Sequence, residues 1–253
     1  MLAEQRRSLI LEVLKDKGSV SVSELYRKLK VSRETIRRDI TRLDQENRLS
    51  KTHGGAVSVD TLEPVFAERL AVNTGGKRAI AKLAATLVPD GSSLIIDAGT
   101  TTLCVAEALS TRRQLTVYTN DVQIAARLGG RNDNRVFILG GELQSAEGAT
   151  LGRDVTAMLG NYFTDFVFVG AGALCEGPML MDYSREAAEI RAQMLIQGRT
   201  SVLLADYTKF GRRAPVRVAN LEKATHILCD RKPPASLAKS LGELKAELLI
   251  AGS

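Results

Sequence analysis

Two helix N-caps set close together leave the start of this chain little choice of fold. Ser21 and Glu24 have capping-box spacing: the Ser21 hydroxyl can accept from the backbone N–H three residues on while Glu24 reaches back, which opens a helix running to Leu29. After the short Lys30-Val31 turn, Ser32 caps a further helix whose apolar residues Ile36, Ile40 and Leu43 recur at i, i+4 and i+7. Upstream, Leu9, Ile10, Val13 and Leu14 share one face of a helix from Leu2 to Lys15, which Gly18 stops. Downstream, Arg48 to Thr52 reads as a strand, His53-Gly54-Gly55 as a turn and Ala56 to Val59 as the partner strand. The pattern predicts a winged helix-turn-helix over residues 1–58.

At about 100° per residue, the apolar stripe of the third helix leaves Glu34, Arg38, Thr41 and Arg42 on the far side, with Arg33, Thr35 and Arg37 flanking. An α-helix fits the major groove of B-DNA, where arginine donates bidentately to guanine and shorter polar side chains reach other base edges. Ser32, Arg33, Glu34, Thr35, Arg37, Arg38 and Arg42 are therefore the candidate DNA contacts on the helix. In the wing, Lys51 and His53 can lie against phosphates, although either serves equally as an exposed turn residue. Charge distribution agrees with a double-stranded DNA partner: residues 1–55 hold 13 Lys/Arg against 8 Asp/Glu, and residues 56–253 hold 22 against 21. A solvated basic face is the plainer alternative for the charge alone, but caps, turn and charge all point the same way.

Between Asp60 and Gly76 the periodicity weakens, with Pro64 and Asn73-Thr74-Gly75-Gly76 as breakers around a short helical segment, which places a linker at 59–76. From Lys77 onward helical segments alternate with short β-rich runs at Ser93–Asp97, Leu115–Thr119, Val136–Leu139, Phe166–Val169, Val202–Ala205 and His226–Cys229. Such alternation predicts an α/β domain over 77–253 with an open, mostly parallel sheet. Small and polar residues gather just after these strands, and in open parallel sheets ligands bind at the strands' carboxyl ends. The candidate ligand residues are Asp97, Gly99, Thr100, Thr101, Thr102, Thr119, Asn120, Gly140, Gly170, Gly172, Asp206 and Lys209. Gly99 with three threonines opening a helix suits a phosphate, with Lys209 adding charge and Asp206 and Asn120 contacting hydroxyls; the alternative is a plain strand-to-helix turn with N-caps. Cys104, Cys175 and Cys229 are widely separated and lack metal spacing, so they read as small buried hydrophobes, and no metal or cofactor is expected. The longest apolar runs, such as Phe166 to Leu174, fall far short of a membrane span, and no export signal opens the sequence, so a cytoplasmic protein without a membrane partner is expected.

Val22-x-Glu24-Leu25, Val31-Ser32-x-x-Thr35-Ile36-Arg37-Arg38-Asp39 and His53-Gly54-Gly55-Ala56 resemble the signature of the DeoR family of bacterial regulators, and the likeness runs through essentially the whole chain. The resemblance implies repression of a carbohydrate or polyol catabolic operon, released by a phosphorylated sugar or polyol. It also implies a second domain similar to ribose-5-phosphate isomerases and aminosugar phosphate deaminases. Leu180-Met181-Asp182-Tyr183-Ser184-x-Glu186 with Arg191 is similar to the family branch that answers to glycerol phosphate, and reads otherwise as a helix capped by Ser184. An isomerase-like enzyme is the alternative function, but isomerisation needs a general base, and Gly170-Ala171-Gly172-Ala173 offers no acid where isomerases keep theirs. Binding without catalysis is the reading, with no catalytic residue. A dimer or tetramer built by the second domain is expected, because one winged domain covers only a half-site.

Overall fold

The helices opened by Ser21 and Ser32 are both present in the computed structural model, which describes residues 2–46, 48–52, 54–58, 63–177 and 179–252. The chain divides into two compact units, Met1–Glu63 and Pro64–Ser253.

The first unit runs α1 (Ala3–Lys17), β1 (Ser19–Ser21), α2 (Val22–Leu29), α3 (Arg33–Gln45), β2 (Leu49–Thr52) and β3 (Gly55–Ser58). Gly18 ends α1 at φ 74°, a conformation that suits a residue without a Cβ. Lys30 takes the left-handed conformation at the α2–α3 corner, where its N–H donates to the Tyr26 carbonyl at 3.1 Å. Ile10, Leu14, Leu25, Ile36, Ile40 and Leu43 form the buried centre. The wing strands lie within a residue of their predicted limits. A third strand was not anticipated: Ser19–Ser21 pairs antiparallel with β3, giving the order β1-β3-β2. Ser21 thus ends a strand and caps a helix at once, and only the cap leaves a sequence signal. Gly55 faces the Val20 carbonyl so closely that no side chain fits.

The second unit contains α4 (Phe66–Ala71), α5 (Thr74–Thr86), β4 (Ser93–Ile96), α6 (Thr100–Ala108), β5 (Thr116–Thr119), α7 (Val122–Leu128), β6 (Arg135–Ile138), β7 (Glu142–Gln144), β8 (Ala149–Leu151) and α8 (Arg153–Leu159). It continues with β9 (Thr164–Gly170), β10 (Ala173–Cys175), β11 (Met179–Asp182), α9 (Arg185–Met194), β12 (Gly198–Ala205), β13 (Val216–Arg217), β14 (His226–Cys229), α10 (Ala235–Leu241) and β15 (Glu247–Ile250). Seven strands make one parallel sheet in the order β15-β14-β12-β9-β4-β5-β6. Six of them are the predicted ones; β15, half-exposed and among charged residues, escaped notice.

Period-two alternation divides the core. Leu94, Ile96, Phe168, Val202 and Leu204 pack under α5, α6 and α7, while Ile95, Val167, Val169, Leu203 and Ile227 pack under α8, α9 and α10. Residues 66–71 and 74–86 are helical although they overlap the breaker-rich stretch, because the left-handed Asn73 turns the chain between them and Gly75 and Gly76 are taken into the first turn of α5. The chain runs outward from β4 to β6, then returns beside β4 and runs the other way from β9 to β15. The β4–β9 boundary is therefore the topological switch point, the place where open parallel sheets take ligands at the strands' carboxyl ends.

Ile36, fully buried beneath α3, ties that helix to the rest of the first unit. Ile36→Ala is expected to cost about 2–5 kcal/mol in urea unfolding, against about 1 kcal/mol for loss of the Ser32 cap in Ser32→Ala.

Candidate nucleic-acid interface and ligand crevice

In α3 the Ser32 hydroxyl accepts from the Thr35 N–H at 3.1 Å and shares a 2.8 Å hydrogen bond with the Thr35 hydroxyl. Ile36, Asp39, Ile40 and Leu43 face inward, which leaves Arg33, Glu34, Arg37, Arg38 and Arg42 exposed. The Arg33 guanidinium lies over the Tyr26 ring, 5.3 Å from its centroid. Arg38 pairs with Glu34 at 3.6 Å, and Arg42 donates to Glu46 at 2.8 Å. Such exposed pairs contribute about 0–1 kcal/mol, so these arginines can exchange a carboxylate for DNA at little cost. Lys51 is stapled to α3: its ammonium donates to the Thr41 hydroxyl at 3.1 Å, and its backbone N–H to Asp44 at 2.9 Å. His53, also nominated, lies outside the described residues.

Asp39 was missed. It is buried and accepts from Arg6 of α1, through Nε to Oδ2 and through a second guanidinium nitrogen to Oδ1 at 3.1 Å. That hydrogen bond, ahead of the opposing effect of burial, holds the Arg6 guanidinium above its ordinary pKa. Asp39 falls on the same helical stripe as Ile36 and Leu43, and a carboxylate in an apolar stripe signals a buried cation.

At the switch point of the second unit, Asp97 follows β4 and accepts from the Gly170 N–H at 3.0 Å and from Arg191 Nε at 2.7 Å. Arg191, on α9, also pairs with Asp182 at the end of β11, and all three side chains are buried. The resemblance had singled out Asp182 and Arg191 and the strand-end argument Asp97; the structure joins them in one ionic cluster. Asp97 is thus held by the protein's own arginine and by the Gly170 N–H. Ser184 caps α9, accepting from the Ala187 N–H at 3.3 Å.

One strand over, the Asn120 side-chain carbonyl accepts from the Ala98 N–H at 3.1 Å and its amide donates to the Thr150 carbonyl at 3.0 Å. Asn120 therefore staples the β4 and β5 turns, with both ends engaged. Thr119 accepts from the Asp121 N–H at 3.1 Å, and the Thr102 hydroxyl donates to the Gly99 carbonyl at 2.9 Å. Thr100, Thr101 and Thr102 are buried in the first turn of α6. Gly172 passes so near the Met181 carbonyl that a Cβ would stand 2.8 Å from it. Gly140 lies after the edge strand β6, two strands from β4, with its N–H on the Met158 sulfur at 3.1 Å.

Asp206, after β12, accepts through Oδ1 from the Thr208 N–H at 3.0 Å and the Asn73 amide at 3.2 Å, while its buried Oδ2 has no hydrogen-bond partner among the described residues. Lys209 sits half-buried one short turn later. Lys77, on α5, was missed because one lysine in a helix carries no signal: it is buried, its ammonium donates to the Arg69 carbonyl, and burial lowers its pKa while Asp206 pulls it back up. Asp121 was also missed. It caps α7 through the Gln123 and Ile124 N–H groups at 2.7 and 3.0 Å; burial raises its pKa, opposed by those donors and by the Gly99 N–H. All three cysteines are free and buried, and burial pushes the Cys229 thiol up to about 12. Among the described residues no helix is long and apolar enough to cross a membrane, and no group of three or more His, Cys, Asp or Glu could hold a metal.

Comparison with known proteins adds two family matches: a DeoR-like helix-turn-helix domain over residues 6–62 and a DeoR C terminal sensor domain over residues 72–231. The Glycerol-3-phosphate regulon repressor of Escherichia coli (strain K12) is 31% identical over 249 residues, 98% of this chain and 99% of that protein. The HTH-type transcriptional repressor GlcR of Bacillus subtilis (strain 168) is 28% identical over 252 residues, 99% of this chain and 97% of its own. Among solved structures, the ribose 5-phosphate isomerase a from Methanocaldococcus jannaschii is 18% identical with a TM-score of 0.40, over 55% of each chain.

Arg191 neutralises two buried carboxylates, so Arg191→Ala leaves both uncompensated. It is expected to cost about 3–5 kcal/mol in urea unfolding. A loss below about 1 kcal/mol would show that the cluster does not hold the crevice together.

Proposed function

Since the chain belongs to the DeoR family of transcriptional repressors, we propose that it grips operator DNA with α3 and its wing and lets go when a phosphorylated sugar or polyol enters the crevice at the β4–β9 switch point. The observation that carries the DNA half is the exposed face of α3, where Arg33, Arg37, Arg38 and Arg42 stand over a helix packed on its opposite side. Ser32, Thr35 and Glu34 shape the N-terminal end of that face, and Lys51 lies against phosphate. His53 is retained on the strength of the His53-Gly54-Gly55 turn in the sequence.

For the ligand half, the Gly99 turn and the N–H groups of residues 100–102 at the start of α6, together with the Lys209 ammonium group, suit a phosphate. The unpartnered Asp206 Oδ2 suits a hydroxyl of the carbon skeleton. Thr119, Asn120, Gly170 and Gly172 shape the crevice from behind, and Gly140 borders it at the far edge. The name of the Escherichia coli relative makes glycerol 3-phosphate the first probe to try. The protein binds this ligand without turning it over: Gly170-Ala171-Gly172-Ala173 carries no acid, and Asp97 is committed to Arg191. The second unit makes the oligomer that matches paired half-sites, and the protein works in the cytoplasm.

Operator fragments selected from random duplex DNA test both halves. Arg38→Ala is expected to weaken operator binding by about 1–3 kcal/mol and to relax preference at one base pair. Lys51→Ala is expected to weaken all sequences alike and to reduce the salt slope by about 1; an unchanged slope excludes the phosphate contact. Glycerol 3-phosphate or another phosphorylated sugar is expected to release the wild-type complex, and failure of the whole panel would remove the effector assignment.

A further inference from the structure

The effector reading leaves unexplained how occupancy of a crevice in the second unit reaches the segment that leads to the first, and Asn73 lies where the two meet. Its left-handed conformation, φ 50° and ψ 41°, turns the chain between α4 and α5. Its amide donates to Asp206 at 3.2 Å and to Asp230 at 2.9 Å, so one side chain holds the ends of two neighbouring strands, β12 and β14. Asp230 is fixed in turn by the Tyr207 N–H at 2.8 Å. The fit is tight: a methyl group on Gly76 would overlap both the Asp230 carboxylate and the Asn73 amide.

One turn on, the Lys77 backbone N–H donates to the Asn73 carbonyl at 3.1 Å, and its buried ammonium donates to the Arg69 carbonyl in the last turn of α4. Arg69 is itself buried, pairs with Glu147 in the β7–β8 turn and lies 5.6 Å from the Phe66 ring centroid. Polar contacts therefore run without a gap from Asp206 through Asn73 and Lys77 to α4, which begins two residues after Pro64, where the second unit starts.

We propose that Asn73 is a positioning residue that reports the occupancy of Asp206 to α4, and so to the segment joining the two units. The proposal rests on the effector reading for what occupies Asp206, but the clamp itself is a property of the free protein. A hydroxyl donor arriving at the buried Oδ2 redraws the hydrogen bonding of that carboxylate, and the Asn73 amide loses part of its hold. A ligand that binds the clamped and unclamped forms differently shifts their populations, and the DNA-binding end responds to the shift.

Full-length Asn73→Gly tests this cleanly, because glycine keeps the left-handed backbone while removing the carboxamide. Asp206→Asn and the double variant complete a cycle. Without any ligand, each single variant is expected to speed amide exchange over residues 66–77 by about tenfold or more and to weaken operator binding about fivefold. The double variant is expected to do no more than either single one, which a merely additive loss of packing would not produce. Glycerol 3-phosphate is expected to release the wild type and to lose that effect on Asn73→Gly. Exchange or operator affinity within about twofold of wild type in Asn73→Gly, or full additivity in the double variant, overturns the proposal. If wild type ignores every phosphorylated probe, the effector reading fails while the ligand-free measurements still decide the clamp.

Discussion

Three charges buried at the end of β4 determine what the second unit can be. Arg191 stands between Asp97 and Asp182, and Asp97 also takes the Gly170 N–H. Taking these groups out of water costs several kcal/mol each, which is recovered only with close partners. The cluster therefore fixes four elements against one another: β4, β9, β11 and α9. A crevice at the switch point of a parallel sheet would otherwise be free to fill with apolar side chains. With committed ions at that position the strand ends stay polar, and beside them Asp206 Oδ2 keeps no hydrogen-bond partner among the described residues.

The first unit uses the same device for a different end. Arg6 and Asp39 bind α1 to α3 from the buried side, so that the arginines of α3 are presented outward on a helix with a fixed orientation. Inside, the ion pair is shielded from solvent and sets geometry. Outside, Glu34–Arg38 and Arg42–Glu46 are solvated pairs of little net strength, which duplex DNA can displace. Burial thus separates the charges that fix α3 in place from the charges left on its exposed face.

Much of this was legible in the sequence, and the reasons are specific. Ser21, Glu24 and Ser32 write helix starts directly, because capping is a local interaction between a side chain and a backbone three residues away. The strands of the parallel sheet are short β-branched runs and show themselves equally well, except β15. What was not legible depends on partners remote in sequence. Asp97, Asp182 and Arg191 could be nominated but not joined, since 94 residues separate Asp97 from its arginine. Asn120 suggested a ligand contact, and its amide ties the β5 turn to the β4 turn at one end and to β8 at the other. Lys77 gave no signal and Asn73 read only as a breaker, because an asparagine before glycines is ordinary until two strand-end aspartates are brought against it.

On the function proposed above, DNA and a phosphorylated metabolite compete for the conformation of one protein. Titration of glycerol 3-phosphate, or of whichever phosphorylated sugar releases the operator, into the free protein and into the operator complex tests that claim by calorimetry. Linkage requires the metabolite to bind the complex more weakly than the free protein, by the same factor with which it weakens operator binding. Equal affinity for the free and operator-bound protein would rule out that competition.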